Sequence, residues 1–484
     1  MDLANAGRQT QNDTETRAIR GVMIQKREAL RAIERAMAQL AENKREIEED
    51  LVRLGITLAP HNHSVLPNEV LSHIFVLLAL DHGSVEFPIS KNNGPPQFVI
   101  SQVCSHWRRV ALRTPRLWSD THLIYPPQDA SDIIRIHQRW LFRARTFPVT
   151  LSITFCDLLD EDELTNVLQT ILLRIHIKRL NLHLIYEHFK ALSTLPEAAL
   201  SHLSEFELDV TFPDHNVNVD MVDPHPFITR LQSITFHFDG HNQEAWISSL
   251  CPCLPWSQLR SLDFGASVDD LSLVFGILRQ TSVLEALTLS ITNNGVLEQV
   301  TMPSLRNLTM EFEPGDSEEE VDQILRNLAC PSLTELSLET YGSWTCETFE
   351  ILKQQYNMPE LREATIYGGF VLPVSAFLLE APMLHSLSLG WDAIMDDEAV
   401  IGVSSGSLGR FLRRLSVKFP CSVGEVLSMA EARKKMVDEL MENGCSWREE
   451  ITVLNDVVIQ SRDRTGYEER IIALKEAGIA IIFL

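Results

Sequence analysis

The 484-residue chain predicts a mixed α+β/α/β solenoid: an N-terminal coiled-coil-like helix, a small all-α module, then a curved domain of alternating strand and helix. Three observations lead there. Ten cores of the form Leu-x-x-Leu-x-Leu recur between Ile177 and Val417. Apolar residues spaced alternately four and three apart run from Ile19 to Leu54. Between Leu66 and Trp118, three short helical patterns carry more apolar surface than so short a stretch can bury within itself.

Residues 1–14 are polar and are expected to be disordered. From 15 to 55 there is no proline inside the pattern, and good helix formers dominate. The seam reads Ile19, Met23, Lys26, Leu30, Ile33, Met37, Leu40, Lys44, Ile47, Leu51, Leu54, a heptad interrupted by two lysines. Two arrangements are open: a parallel homodimer, or one helix folded back on the chain's next domain. Gly55 supplies a helix-ending residue, and 60–64 reads as a linker.

The segment 64–120 starts a helix at Pro67, where a missing N–H costs nothing. Val70, Leu71, Ile74, Phe75 and Leu78 form one apolar stripe, and Ile100, Val103, Cys104, Trp107, Val110 and Ala111 form a second. Leu117-Trp118 follows a Thr-Pro turn. Between the stripes, Asp81 to Gln97 carries Gly83, Pro88, Gly94, Pro95 and Pro96 and reads as a long loop. The apolar surplus must face a partner or a neighbouring domain.

These residues resemble an F-box. Leu66-Pro67, Glu69-Val70-Leu71, Ile74-Phe75, Val103-Cys104, Trp107 with Arg108 and Arg109, and Leu117-Trp118 follow the family's order. The resemblance implies a helical module that docks on a Skp-type adaptor and, through it, a cullin-based ubiquitin ligase. It assigns adaptor contact to Leu66, Pro67, Val70, Leu71, Ile74, Phe75, Val103, Cys104 and Trp107, with Leu117 and Trp118 completing the module. The 81–97 loop exceeds the family's usual link, and is either a surface excursion or an obstacle to docking.

From 130 to 420 the pattern is repetitive. An amphipathic stretch through Ile133, Ile134, Ile136, Trp140 and Leu141 precedes an alternating strand from Phe147 to Ile153. The cores are Ile177/Leu180/Leu182, Leu203/Phe206/Leu208, Leu231/Ile234/Phe236, Leu259/Leu262/Phe264 and Leu284/Leu287/Leu289. They continue as Leu305/Leu308/Met310, Leu333/Leu336/Leu338, Leu361/Ala364/Ile366, Leu384/Leu387/Leu389 and Leu412/Leu415/Val417. Their starts lie 21 to 28 residues apart, close to the leucine-rich repeat period, and helical connectors such as Leu271 to Leu278 separate them. The asparagine usual after such a core is missing, so the repeats are irregular.

Residues between the core positions are expected on the opposite, concave face. The target-binding candidates there are Glu205, Glu207, Asp209, Thr235, His237, Asp263, Glu335, Glu363 and Tyr367. That face reads acidic at one end, hydroxyl-rich in the middle and basic at Arg414 and Lys418. It is either a plain solvated strand face or a groove for a partner with a basic segment. Residues 421–484 read, from Val423 onward, as helix, irregular segment, helix and a short strand from Ile479 to Leu484, and are expected to cap the last repeat.

The net charge of −24 argues against phosphate-backbone binding and against attraction to anionic membranes. Eight cysteines are scattered without metal spacing; Cys251 and Cys253 read as a loop thiol pair. No secretory leader, membrane span, phosphate loop or nucleophile elbow is recognisable, so a cytoplasmic or nuclear, non-catalytic protein without a cofactor is expected. The architecture is similar to that of large F-box families of mushroom-forming fungi. It implies a substrate receptor of a Skp–cullin–F-box ubiquitin ligase; the alternative is a repeat-based interaction scaffold with a vestigial or ligase-independent F-box.

Overall fold

A computed structural model of the chain describes residues 66–89, 94–125, 130–155, 160–173, 175–185, 188, 191–192, 195–211, 230–239, 254–268, 271–291, 297–312, 318–370, 373–390, 395–418, 423–442, 451–460 and 466–483. Of the heptad segment it describes Lys26, Leu30, 44–46 and 49–50, which are helical and exposed. The rest of that seam, Gly55, residues 1–14 and the Cys251/Cys253 pair lie outside the described residues. The chain forms two compact units, Met1–Leu77 and Leu78–Leu484.

The helices are α1 (Asn68–Leu80), α2 (Pro96–Val103), α3 (Ser105–Leu112), α4 (Ala130–Leu141), α5 (Glu161–Leu172), α6 (Glu197–Leu200) and α7 (Leu271–Leu278). They continue with α8 (Glu318–Asn327), α9 (Cys346–Gln355), α10 (Val374–Glu380), α11 (Asp397–Ser405), α12 (Val423–Glu442) and α13 (Glu468–Glu476). The strands are β1 (Val85–Phe87), β2 (Asp120–Tyr125), β3 (Val149–Phe155), β4 (Ile177–Ile185), β5 (Glu205–Thr211), β6 (Ser233–Asp239), β7 (Ser261–Val268) and β8 (Ala286–Ile291). After the short β9 (Val300–Thr301) come β10 (Asn307–Phe312), the short β11 (Leu328–Ala329), β12 (Glu335–Trp344), β13 (Glu363–Phe370), β14 (Ser386–Leu389), β15 (Arg414–Lys418), β16 (Asp456–Gln460) and β17 (Ala480–Phe483).

Fifteen of these strands form one sheet in chain order, every pair parallel; only β9 and β11 stand apart, paired with each other. Each strand therefore neighbours the next in sequence, the topology of one strand per repeat. All thirty predicted core positions are buried, none above 4% exposure. They fall in register: Leu287 aligns with Leu308, Leu308 with Leu336, Leu336 with Ala364, and Ala364 with Leu387.

A parallel sheet covered on both faces shows continuous apolar runs. These strands instead alternate buried and half-exposed residues, as in β3 and β8, so one side packs and the other is open. On the packed side successive helices lie against each other: α8 on α9, α10 on α11, α11 on α12 and α12 on α13.

Local chemistry sets the helix limits. Asp160 caps α5 by accepting from the Glu163 N–H at 2.7 Å. Thr345 and Thr348 cap α9 reciprocally. Asp396 caps α11 through the Ala399 N–H and also takes the Ser375 N–H, joining two repeats. Gly406 ends α11 at φ 71°, a left-handed geometry that glycine adopts without strain.

The sheet is longer than the expected 130–420 repeat segment at both ends. The 81–97 segment, expected as a loop, contains β1, which pairs with β2 through Val85–Thr121 and Phe87–Leu123. Its three-residue alternation is too short to stand out among glycines and prolines. The tail after 421 adds β16 and β17, with Val457 beside Leu415 and Ile481 beside Val457. One buried side chain closes this end. Arg433 of α12 is fully buried and donates to the carbonyls of Thr452, Val403, Gly409, Arg410 and Leu412 at 2.7–3.5 Å.

Candidate functional site

Two groups of residues are expected to carry function: the helical module of 66–118 and the open strand face. In the module, α1 is apolar on two sides. Leu71, Phe75 and Val76 are buried, whereas Val70, Ile74 and Leu77 are exposed. Residues 70, 74 and 77 follow the four-then-three spacing that aligns side chains on one helix face. Leu66 and Pro67 are exposed just ahead of it, and the Pro67 carbonyl accepts the Leu71 N–H at 3.1 Å.

The second part of the module starts with Pro96 at the head of α2. Gln97 and Ile100 are buried, while Val99 and Val103 are 60% and 54% exposed. Cys104 separates α2 from α3; its sulfur accepts the Trp107 N–H at 3.4 Å, and both residues are half-buried. Leu117 and Trp118 are buried. The Trp118 indole donates to the Ala111 carbonyl at 2.9 Å, its ring meets Trp140 edge-on at 4.6 Å, and the Arg143 guanidinium covers it at 4.4 Å. Phe87 and Phe98 complete the cluster around Trp140. Beside it, Thr121 occupies a core position of β2 and is satisfied by the buried His137 at 3.0 Å. Burial pushes the His137 imidazole down to about 4, so it is neutral near pH 7.

On the strand face, register gathers the expected residues into two patches. Glu205, Glu207, Asp209, Thr235, His237 and Asp263 sit on β5, β6 and β7; Glu335, Glu363 and Tyr367 sit on β12 and β13. Two strands, β8 and β10, separate the patches, a gap of about 14 Å at roughly 4.8 Å per strand step.

The first patch is partly neutralised. Burial raises the Glu205 carboxyl, but Lys178 at 2.8 Å and Arg179 at 2.7 Å outweigh that and hold it below its ordinary value. Asp209 pairs with His183 at 2.7 Å, and Glu207 lies 3.7 Å from His237. The carboxyl of Asp263 is raised by burial and by Glu207, against the pull of His237. His183 and Arg179, which complete these pairs, belong to the same alternation one strand earlier and are legible from the Ile177/Leu180/Leu182 core.

The second patch differs. Glu335 and Glu363 are direct neighbours in register, and neither forms an ion pair among the described residues. Burial and then Glu363 raise the Glu335 carboxyl. The Tyr367 hydroxyl lies 3.4 Å from the Ser388 hydroxyl, and a side chain at Gly390 would collide with Tyr367, so glycine leaves room for the ring. At the end expected to be basic, Arg414 meets Asp456 of β16 at 3.4 Å. The added strand balances that charge.

Among the described residues no group of three His, Cys, Asp or Glu side chains could hold a metal, and no helix is long and apolar enough to cross a membrane. The fold and the two open surfaces define a parallel, one-strand-per-repeat α/β protein whose helix α1 carries an exposed apolar face. Compared with known proteins, the chain matches no family model and no curated protein.

Proposed function

We propose that this chain is a non-catalytic F-box substrate receptor of a Skp–cullin–F-box ubiquitin ligase, with irregular leucine-rich repeats that hold the target. The observation that carries the reading is the stripe of Val70, Ile74 and Leu77, exposed by 43%, 38% and 53% on a helix whose other side is buried. Apolar side chains exposed in a row mark interaction surfaces. In this reading Leu66, Pro67, Val70 and Ile74 of the first unit meet the adaptor, and Val103 of the second is exposed for contact as well. Leu71 and Phe75 in the first unit, and Leu117 and Trp118 in the second, are buried and hold the fold of their own unit. Cys104 and Trp107 lie at the border of the two groups. The unneutralised Glu335–Glu363 pair and the Asp263 patch suit a target with a basic segment. Ubiquitin chemistry belongs to other subunits, in cytoplasm or nucleus.

Co-expression with a Skp-type adaptor tests this. Wild type co-purifies with the adaptor; a Val70→Glu/Ile74→Glu double variant loses it while melting like wild type. Failure of soluble wild type to capture the adaptor overturns the reading. One observation favours a ligase-independent scaffold instead: the link between α1 and α2 is not a short turn but supplies β1 to the sheet. Target capture without adaptor capture is the outcome that reading requires.

A further inference from the structure

A cleft of about 550 Å³ opens between α4 and α5, away from the residues assigned above. Arg135, Arg139, Arg145, Phe142, Ile171 and Ile175 line it. Within its lining, the Gln138 side-chain amide donates to the Thr170 carbonyl at 2.9 Å and ties the two helices together. The volume lies in the range of small-molecule sites, about 300–1,000 Å³.

Its lining is unusual in three ways. Phe142 is 84% exposed, the most exposed of the large apolar side chains among the described residues. Arg135 is paired with Asp132 at 2.8 Å, but Arg139 and Arg145 form no ion pair among the described residues. Two unneutralised guanidinium groups beside an aliphatic floor stand out in a chain with net charge −24. Arg145 is also the one non-glycine residue at positive φ among the described residues, at φ 55° and ψ −121°. L-residues rarely adopt that conformation, and glycine would relax it; an arginine stands there.

We propose that this cleft binds a small monoanionic amphiphile, its carboxylate between Arg139 and Arg145 and its aliphatic tail over Phe142, Ile171 and Ile175. The charge is complementary: a guanidinium fork matches a carboxylate with two parallel hydrogen bonds. A polyphosphate would leave the apolar floor uncovered, and a neutral lipid would leave the cations unmatched. The assignment is independent of adaptor docking, because none of these residues lies in 66–118.

The full chain is titrated with dodecanoate below its micellar concentration and, separately, with dodecanol. Dodecanoate binds saturably at one site, and dodecanol binds at least about ten-fold more weakly, the loss expected for one charge-assisted pair. Arg139→Glu weakens dodecanoate by at least about ten-fold. Arg145→Gly, which relaxes the backbone, weakens it without lowering thermal stability. Hydrogen exchange in the wild-type chain reads the same site without any variant: dodecanoate protects 135–145 and 170–173. Equal affinity for the acid and the alcohol, no saturable binding, or protection elsewhere overturns the proposal.

Discussion

Replacing Arg433 by methionine removes a charge that no carboxylate balances among the described residues and that five backbone carbonyls hold instead. Burial lowers the guanidinium to about 10, so it is still charged at pH 7. Four of the carbonyls keep another donor after the change: Val403 from Gly406, Gly409 from Leu412, Arg410 from Thr452, and Leu412 from the Thr452 hydroxyl. The Thr452 carbonyl has no other donor among the described residues and is orphaned, at a cost of about 1–3 kcal/mol. Loss of the remaining charge-assisted bonds, about 1.5–3 kcal/mol each, is largely offset because several kcal/mol of guanidinium desolvation is no longer required. The net destabilisation is about 3 kcal/mol, or roughly a 100-fold rise in the local opening constant.

In a repeat array this opening is local, because each unit leans only on its neighbours. Hydrogen exchange followed by mass spectrometry is therefore the assay. Exchange in 451–460 and 480–483 accelerates roughly 100-fold, while β4 to β8 keep their protection. Arg433→Lys, with three donors for five acceptors, falls between the two. Exchange within about 0.5 kcal/mol of wild type in the methionine variant, the range of an ordinary surface change, refutes the reasoning.

Three further outcomes are expected. His137 has a folded value near 4 against about 6.5 unfolded, so its contribution is complete above pH 6.5 and is lost as the pH falls toward 4; at pH 5.5 the loss is about 1.4 kcal/mol. Hydrogen exchange in β2 and α4 across that window measures it, and a His137→Gln variant with the same acid sensitivity contradicts it. Trp118→Ala costs about 3–5 kcal/mol in urea unfolding, and a loss under about 1 kcal/mol would remove Trp118 from the core. Asp396→Ala costs about 1–2 kcal/mol, seen as faster exchange in α11. Burial raises the Asp396 carboxyl, but its bonds from Ser375 and Ala399 outweigh that and lower it; this contribution is present above the ordinary carboxylate range and is lost as pH falls through the lowered value.

The repeat cores are legible in the sequence because a leucine at a fixed offset is a strong signal, and register needs the same offset on every strand. The sheet's ends are less so: the final strand expected over Ile479–Leu484 is found at Ala480–Phe483, but β1, β2 and β16 carry no comparable signal. Thr121 takes a core position only because His137 satisfies its hydroxyl, and β16 follows Leu412 by 42 residues to Leu454, outside the repeat spacing. Arg433 sits in the run Glu431-Ala432-Arg433-Lys434-Lys435, which reads as a solvated helix face; only the carbonyls gathered from three other segments make it a core residue. The module is legible as apolar stripes, but which stripe is covered is not. Leu71 and Val70 are adjacent in sequence and both apolar, yet one is buried and the other open. The charges on the strand face are legible as a series, whereas their pairing with Lys178, Arg179 and His183 depends on strand register.

The central claim is that the open side of α1 is a docking face for a Skp-type adaptor. Titration of the purified full chain against a purified adaptor, followed by calorimetry, tests it most directly. The account predicts one-to-one binding with Kd below about 1 µM, abolished by Val70→Glu/Ile74→Glu and kept in a Glu335→Gln/Glu363→Gln variant of the strand face. A folded wild-type chain that shows no heat of binding at adaptor concentrations of about 100 µM contradicts it.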